Sequence, residues 1–203
     1  VQEHLLGSKP EWVQASAHFL ENHDEPRIAS LLGLEEHRAA ALLILSLPGM
    51  RLLHEGQLGG ARVRVPVQWC SYVTEPVVPG IERMYEELLR ALEVTAVGRG
   101  AGRILKAREA WQGNPTAQHF VLIQWQAETQ GFDLAVINLA AHRSQCYAEL
   151  SIANLAGKDW VMKDVLGAEE HKYSGQDLAG RGLYLDLPRM GAQLFHFKAQ
   201  SIS

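Results

Sequence analysis

Cysteine is nearly absent from this chain of 203 residues, with Cys70 and Cys146 the only two. Neither stands in a Cys-x-x-Cys or other metal-type spacing, so neither a disulfide framework nor a cysteine-built metal centre is expected. Both read as unpaired, partly buried thiols in a reducing compartment, which makes the cytoplasm the expected location. An excess of either charge is missing too: 19 Lys and Arg against 23 Asp and Glu leave a net charge of −4. That balance argues against a protein whose task is to coat nucleic acid or an anionic membrane. The longest apolar run, Ala39 to Leu47, is interrupted by Ser46 and is too short to span a bilayer. The opening Val1-Gln2-Glu3-His4 has neither a basic n-region nor an apolar h-region, so no signal peptide is expected. No Gly-x-Ser-x-Gly elbow surrounds Ser71, Ser144 or Ser174, which removes that hydrolase triad. What remains, 47% hydrophobic and 21% charged, is ordinary for a folded chain of one or two domains.

The character of the chain changes near residue 100. Leu34 to Leu47 reads as a helix, with Glu35 and Glu36 in its first turn and Pro48-Gly49 as its stop. Pro79 to Leu92 reads as a second helix with Ile81, Met84, Tyr85, Leu88, Leu89 and Leu92 on one face. A short apolar strand precedes each: Ala17 to Leu20, and Met50 to His54. Both strands run into polar loops, Glu21 to Arg27 and Glu55 to Gln57. Strand, loop and helix, repeated, imply a parallel sheet covered by helices, with functional groups at the carboxyl ends of the strands.

The Gly-rich stretch from Val94 to Gly102 reads as a boundary. Beyond it, strand-length runs follow at Ile104–Trp111, Phe120–Gln126, Phe132–Leu139, Ser144–Ile152, Trp160–Val165, Gly182–Leu187 and Gln193–Lys198. In the sixth run, Leu183, Leu185 and Leu187 face one way and Tyr184 and Asp186 the other. Regular strands separated by Gly, Asn and Pro suggest an antiparallel β-sandwich.

The densest polar cluster is Asn22-His23-Asp24-Glu25-Pro26-Arg27, directly after a strand. An imidazole beside a carboxylate grips vicinal sugar hydroxyls, donating to one and accepting from two. The same residues also read as a solvated turn closed by a helix cap, and Arg27 as half of a structural ion pair. His23, Asp24 and His54 lack any established ligand spacing, so no metal is expected. His37, His119, His142, His171 and His196 share no spacing either and read as surface or satisfied polar groups. Trp69, Trp111, Trp125 and Trp160 are each open to sugar stacking or to core packing.

Phe19-Leu-Glu-Asn-His-Asp-Glu-Pro-Arg27 resembles the fourth signature region of the alpha-amylase superfamily, glycoside hydrolase family 13. That region is built around Asn-His-Asp at the end of the seventh barrel strand. One helix later, Leu45-Ser-Leu-Pro-Gly-Met-Arg-Leu-Leu-His-Glu-Gly-Gln57 is similar to the family's eighth strand. The likeness departs from the family at His54-Glu55, where an aromatic residue usually precedes Gly-Gln, and at Leu58, where a Glu usually follows. Met50-Arg51 also replaces the commoner Thr-Pro or Ile-Pro.

The resemblance implies an α/β part followed by an all-β part. Residues 1–97 are the last two strand-helix units of a (β/α)8 TIM barrel, and residues 103–203 a carboxyl-terminal antiparallel β-sandwich. It makes Asp24 a catalytic residue that binds the sugar's 2- and 3-hydroxyls and stabilises the transition state. Asn22, His23 and Arg27 become substrate-binding residues. The expected substrate is an α-glucan or malto-oligosaccharide, cleaved or transferred with retention, and no cofactor is expected. A retaining glycosidase needs a nucleophile and a general acid about 5–5.5 Å apart. In this family both precede the Asn-His-Asp region, and no Gly-Phe-Arg-x-Asp segment occurs here, so they are expected upstream and this chain alone is expected to be inactive. The missing amino-terminal barrel portion is then a partner, and exposed barrel edges favour self-association. The alternative is a non-catalytic glycan-binding or interaction module of amylase-like ancestry.

Overall fold

A computed structural model of the chain describes residues 1–68, 73–127 and 131–200; Trp69, Cys70 and Ser71 lie outside the described residues. The amino-terminal half begins with two short helices, α1 (Gln2–Gly7) and α2 (Pro10–Gln14). A two-residue strand β1 (Ala17–His18), helices α3 (Ile28–Leu31) and α4 (Leu34–Ser46), strand β2 (Met50–Arg51) and helix α5 (Pro79–Glu93) follow. β1 and β2 pair in parallel, Ala17 with Met50 and His18 with Arg51, and α4 connects them. Gly49, at φ +128°, makes the return possible: a Cβ there would meet the Ser16 carbonyl at 2.6 Å. The start of α4 is set by Glu36, whose carboxylate accepts the Gly33 N–H at 2.9 Å.

The rest of the chain is antiparallel. Strands β3 (Ala101–Leu105), β4 (Ala107–Glu109), β5 (Phe120–Gln126), β6 (Gly131–Asn138), β7 (Ser144–Ala148), β8 (Asp159–Asp164) and β9 (Glu170–Ser174) come first. Helix α6 (Gly175–Arg181) and strands β10 (Leu183–Leu187) and β11 (Ala192–Gln200) complete it. Six strands form one sheet in the order β3-β5-β6-β11-β8-β9, and three form another in the order β10-β7-β4. Phe120, Leu122, Phe132, Leu134 and Phe197 of the larger sheet share a core with Cys146, Leu183, Leu185 and Leu187 of the smaller, so the two pack face to face. The opposite face of the larger sheet, through Val121, Ile123, Trp125, Ala135, Ile137 and Leu194, packs on Leu42, Leu45, Met84 and Leu88 of α4 and α5. Covered on both sides, β5 and β6 are buried almost continuously instead of alternating.

Several expectations need correcting. Ile104–Trp111 is not one strand, because the chain leaves the larger sheet after Leu105, paired with Leu122, and enters the smaller at Ala107, paired with Ala148. Ser144–Ile152 ends as a strand at Ala148, and the two parallel strands are each two residues long. β9 and α6 carry no apolar rhythm that marks them: β9 is a polar edge strand, and α6 buries only Gly175 and Leu178. Among the described residues no helix is long and apolar enough to cross a membrane.

Candidate functional site

The loop that leaves β1 turns at Asn22. Its side-chain oxygen accepts the backbone N–H groups of Asp24 at 2.8 Å and Glu25 at 3.0 Å, a turn that asparagine makes within its own loop. The turn presents His23 and Asp24 outward, side by side, with Nε2 and Oδ2 3.2 Å apart and side-chain exposures of 58% and 72%. Glu21 points the other way and is fully buried. One of its oxygens accepts the Ile28 N–H at 2.6 Å and the other accepts Arg27 Nη1 at 2.7 Å, so one carboxylate closes both ends of the loop. Arg27 Nη1 also donates to the Glu55 carbonyl at 2.7 Å, reaching the loop that follows β2.

That second loop has its own anchor. Gln57 accepts the His54 N–H through Oε1 at 3.1 Å and donates through Nε2 to the Tyr85 hydroxyl at 2.7 Å. His37 Nε2 lies 2.9 Å from the same hydroxyl. Burial pushes the Tyr85 phenol up to about 12, opposed by its bond to Gln57. Burial also lowers the His37 imidazole, against the pull of Glu21. Both groups are therefore neutral at neutral pH, and the Tyr85 oxygen accepts from Gln57 while its hydroxyl shares one hydrogen bond with His37 Nε2.

A stability consequence follows. In the unfolded chain His37 takes its proton near pH 6.5, whereas in the fold it takes it only at lower pH, so falling pH favours the unfolded state. Urea midpoints should drop as pH falls from about 7 to 5.5, and the drop should be shallower in His37→Gln. Equal slopes in the two proteins would refute this.

The two loops face a cleft of about 400 Å³ whose polar wall is Asn22, His23, Arg27, His54, Glu55 and Gly56. Val63, Val65, Val67, Val73 and Val77 form much of the other wall. Glu75 accepts the N–H groups of Arg62 at 2.9 Å and Val63 at 3.0 Å, and these bonds hold its carboxyl below the usual range. Asn22, His23 and Arg27 thus meet His54 across one opening, while Asp24 stands beside His23 without lining it.

Sequence reasoning missed Glu21, Gln57, Tyr85 and His37 as a set. Their one visible signal was a phenol on an otherwise apolar helix face. Trp125 and Trp160 are buried, with their indole N–H groups donating to Ser46 at 2.7 Å and Leu155 at 3.0 Å, so neither presents a face to a sugar. Trp111 is exposed and lies outside the cleft wall. Among the described residues no three His, Cys, Asp or Glu side chains converge on a metal-sized point.

No protein-family model matches the chain. No curated protein matches it either. Solved structures do. A maltogenic alpha-amylase from Thermotoga neapolitana superposes with a TM-score of 0.65 at 17% identity, over 91% of this chain and 41% of its own. An alpha-amylase from Geobacillus thermoleovorans, solved with acarbose, gives 0.68 at 15% identity, over 93% of this chain and 40% of its own. An alpha-amylase from Lactobacillus plantarum gives 0.61 at 18% identity, over 96% and 40%. The chain therefore spans about two fifths of the length of these proteins and shares that portion of their fold.

Proposed function

We propose that this chain is the carboxyl-terminal portion of an alpha-amylase-like glycoside hydrolase or transglycosylase that acts on α-glucosidic linkages with retention. The observation that carries the reading is the place of Asn22-His23-Asp24: a loop at the carboxyl end of a parallel strand, beside a cleft, in a fold shared with alpha-amylases over more than nine tenths of the chain. On this reading His23 donates to a sugar hydroxyl. Asp24 accepts from the 2- and 3-hydroxyls, and its bonds strengthen as oxocarbenium character develops. Residues 1–97 supply the last two strand-helix units of a barrel and residues 103–203 the sandwich behind it. The nucleophile and general acid come from the portion that precedes them.

The state of β1 and β2 supports the barrel assignment. Among the described residues they pair only with each other, and Phe19, Met50 and Leu52 beside them are exposed. Left open, that edge should drive self-association. Light scattering that reports one chain's mass across a hundredfold range of concentration would contradict it.

The experiment that tests the function is the coding DNA upstream of Val1, read in frame. A reading frame that supplies a strand-end Arg-x-Asp and then a Glu supports a retaining glycosidase. An in-frame stop followed closely by a start overturns it and favours a glycan-binding module.

A further inference from the structure

We propose that Glu21 and Arg27 are positioning residues that hold the Asn22–Asp24 loop at a set distance from the Glu55–Gln57 loop, and that Arg27 serves this tie instead of touching ligand. The proposal rests on the sugar-cleft reading and assigns roles within that site. Its basis is where the hydrogen bonds go. Glu21 has no exposed surface and Arg27 only 13% of its side chain exposed, so Glu21 lies behind the cleft wall and Arg27 reaches that wall with most of its guanidinium already committed. A buried charge pair is tolerable when every oxygen and N–H has a partner, and here both oxygens of Glu21 have one. Arg27 Nη1 makes both bonds, donating to Glu21 and, at 2.7 Å, to the Glu55 carbonyl, a backbone atom of the opposite loop.

Gly56 makes room for this. At φ +81° its missing Cβ would stand 3.0 Å from the Ala61 Cβ and 3.4 Å from Arg27 Nη2, so the second loop lies directly on the guanidinium. Gln57, held by Tyr85 and His37, fixes the far end of the same loop. His23 and His54 thus hang from two loops whose separation is set by one arginine.

The test is amide hydrogen exchange on the chain in Arg27→Lys and Glu21→Gln. Lysine keeps a positive charge opposite Glu21 but loses the planar guanidinium whose Nη1 meets both Glu21 and Glu55 and whose Nη2 lies against Gly56. Glutamine keeps an acceptor for the Ile28 N–H but no charge for Arg27. Expected in both is exchange about tenfold or more faster at Asp24, Glu25 and Gln57, with the amides of β5 and β6 unchanged. None of the three amides bonds to Glu21 or Arg27: Asp24 and Glu25 donate to Asn22, and Gln57 to the His54 carbonyl. A change confined to Ile28, or an equal rise throughout the sheets, marks an ordinary structural ion pair and overturns the proposal. Because no sugar enters the measurement, its failure is separate from a failure of the sugar-cleft reading.

Discussion

Trp125→Ala is expected to lower the unfolding free energy by about 3–5 kcal/mol, the range for emptying a buried tryptophan site. For a chain of this length that is roughly 6–20 °C in Tm. Three features put the value at the upper end. The indole N–H donates to the Ser46 carbonyl at the end of α4, so truncation leaves an acceptor at a buried helix terminus without its donor. Its partner on β3 is Gly102, where any Cβ would meet the ring at 2.7 Å, so β3 supplies no side chain at that position to fill the space. The Arg51 guanidinium stands over the Trp125 ring at 5.8 Å, a contact between β2 and the larger sheet. Trp125 therefore joins the parallel pair, α4 and the sandwich at one point. Urea unfolding followed by circular dichroism should show one transition moved as a whole. Two transitions, of which one stays in place, would show that the halves do not share the core that Val121, Ile123 and Trp125 form with α4 and α5.

That shared core also explains what the sequence could and could not reveal. α4 and α5 were legible because their ends carry local punctuation, Pro48-Gly49 after one and Pro79 opening the other. β10 was legible because one of its faces meets solvent, so Leu183, Leu185 and Leu187 alternate with Tyr184 and Asp186. β5 and β6 lack that rhythm, and their length and apolar content identified them instead. β9 and α6 stayed hidden because a polar edge strand and a seven-residue helix bury too little to leave a pattern. The site divides along the same line. Asn22, His23, Asp24 and Arg27 form one contiguous run and show as a motif. The link from Arg27 to Glu55 spans 28 positions and that from His37 to Tyr85 spans 48. Such pairings depend on how α4 and α5 pack, which no local spacing encodes. Glu21 was the least legible of all, since a glutamate at a strand end ordinarily reads as solvated.

On the proposed function, Asp24→Asn should cut the kcat of the full-length enzyme by about 10²–10³-fold while changing KM much less, the effect of removing one preorganised electrostatic partner of the transition state. The substitution isolates charge. Asparagine keeps the shape and one acceptor oxygen, and the carboxylate that it replaces is 72% exposed and, among the described residues, holds nothing beyond its contact with His23. The turn beneath it depends on Asn22, whose oxygen accepts the backbone N–H of residue 24 whatever its side chain. Stability of the variant should match that of the parent, and a urea midpoint that moves would disqualify the kinetic comparison. On the proposed function, what is lost is an anion next to a sugar ring that gains positive charge only on the way to the transition state. On the same proposal, binding of the neutral ground state draws on His23, Asn22 and the cleft walls, which remain. A variant that keeps its kcat and loses affinity would show Asp24 gripping substrate and transition state alike. A variant that changes neither would remove Asp24 from the site and leave His23 and His54 as the groups that meet the ligand.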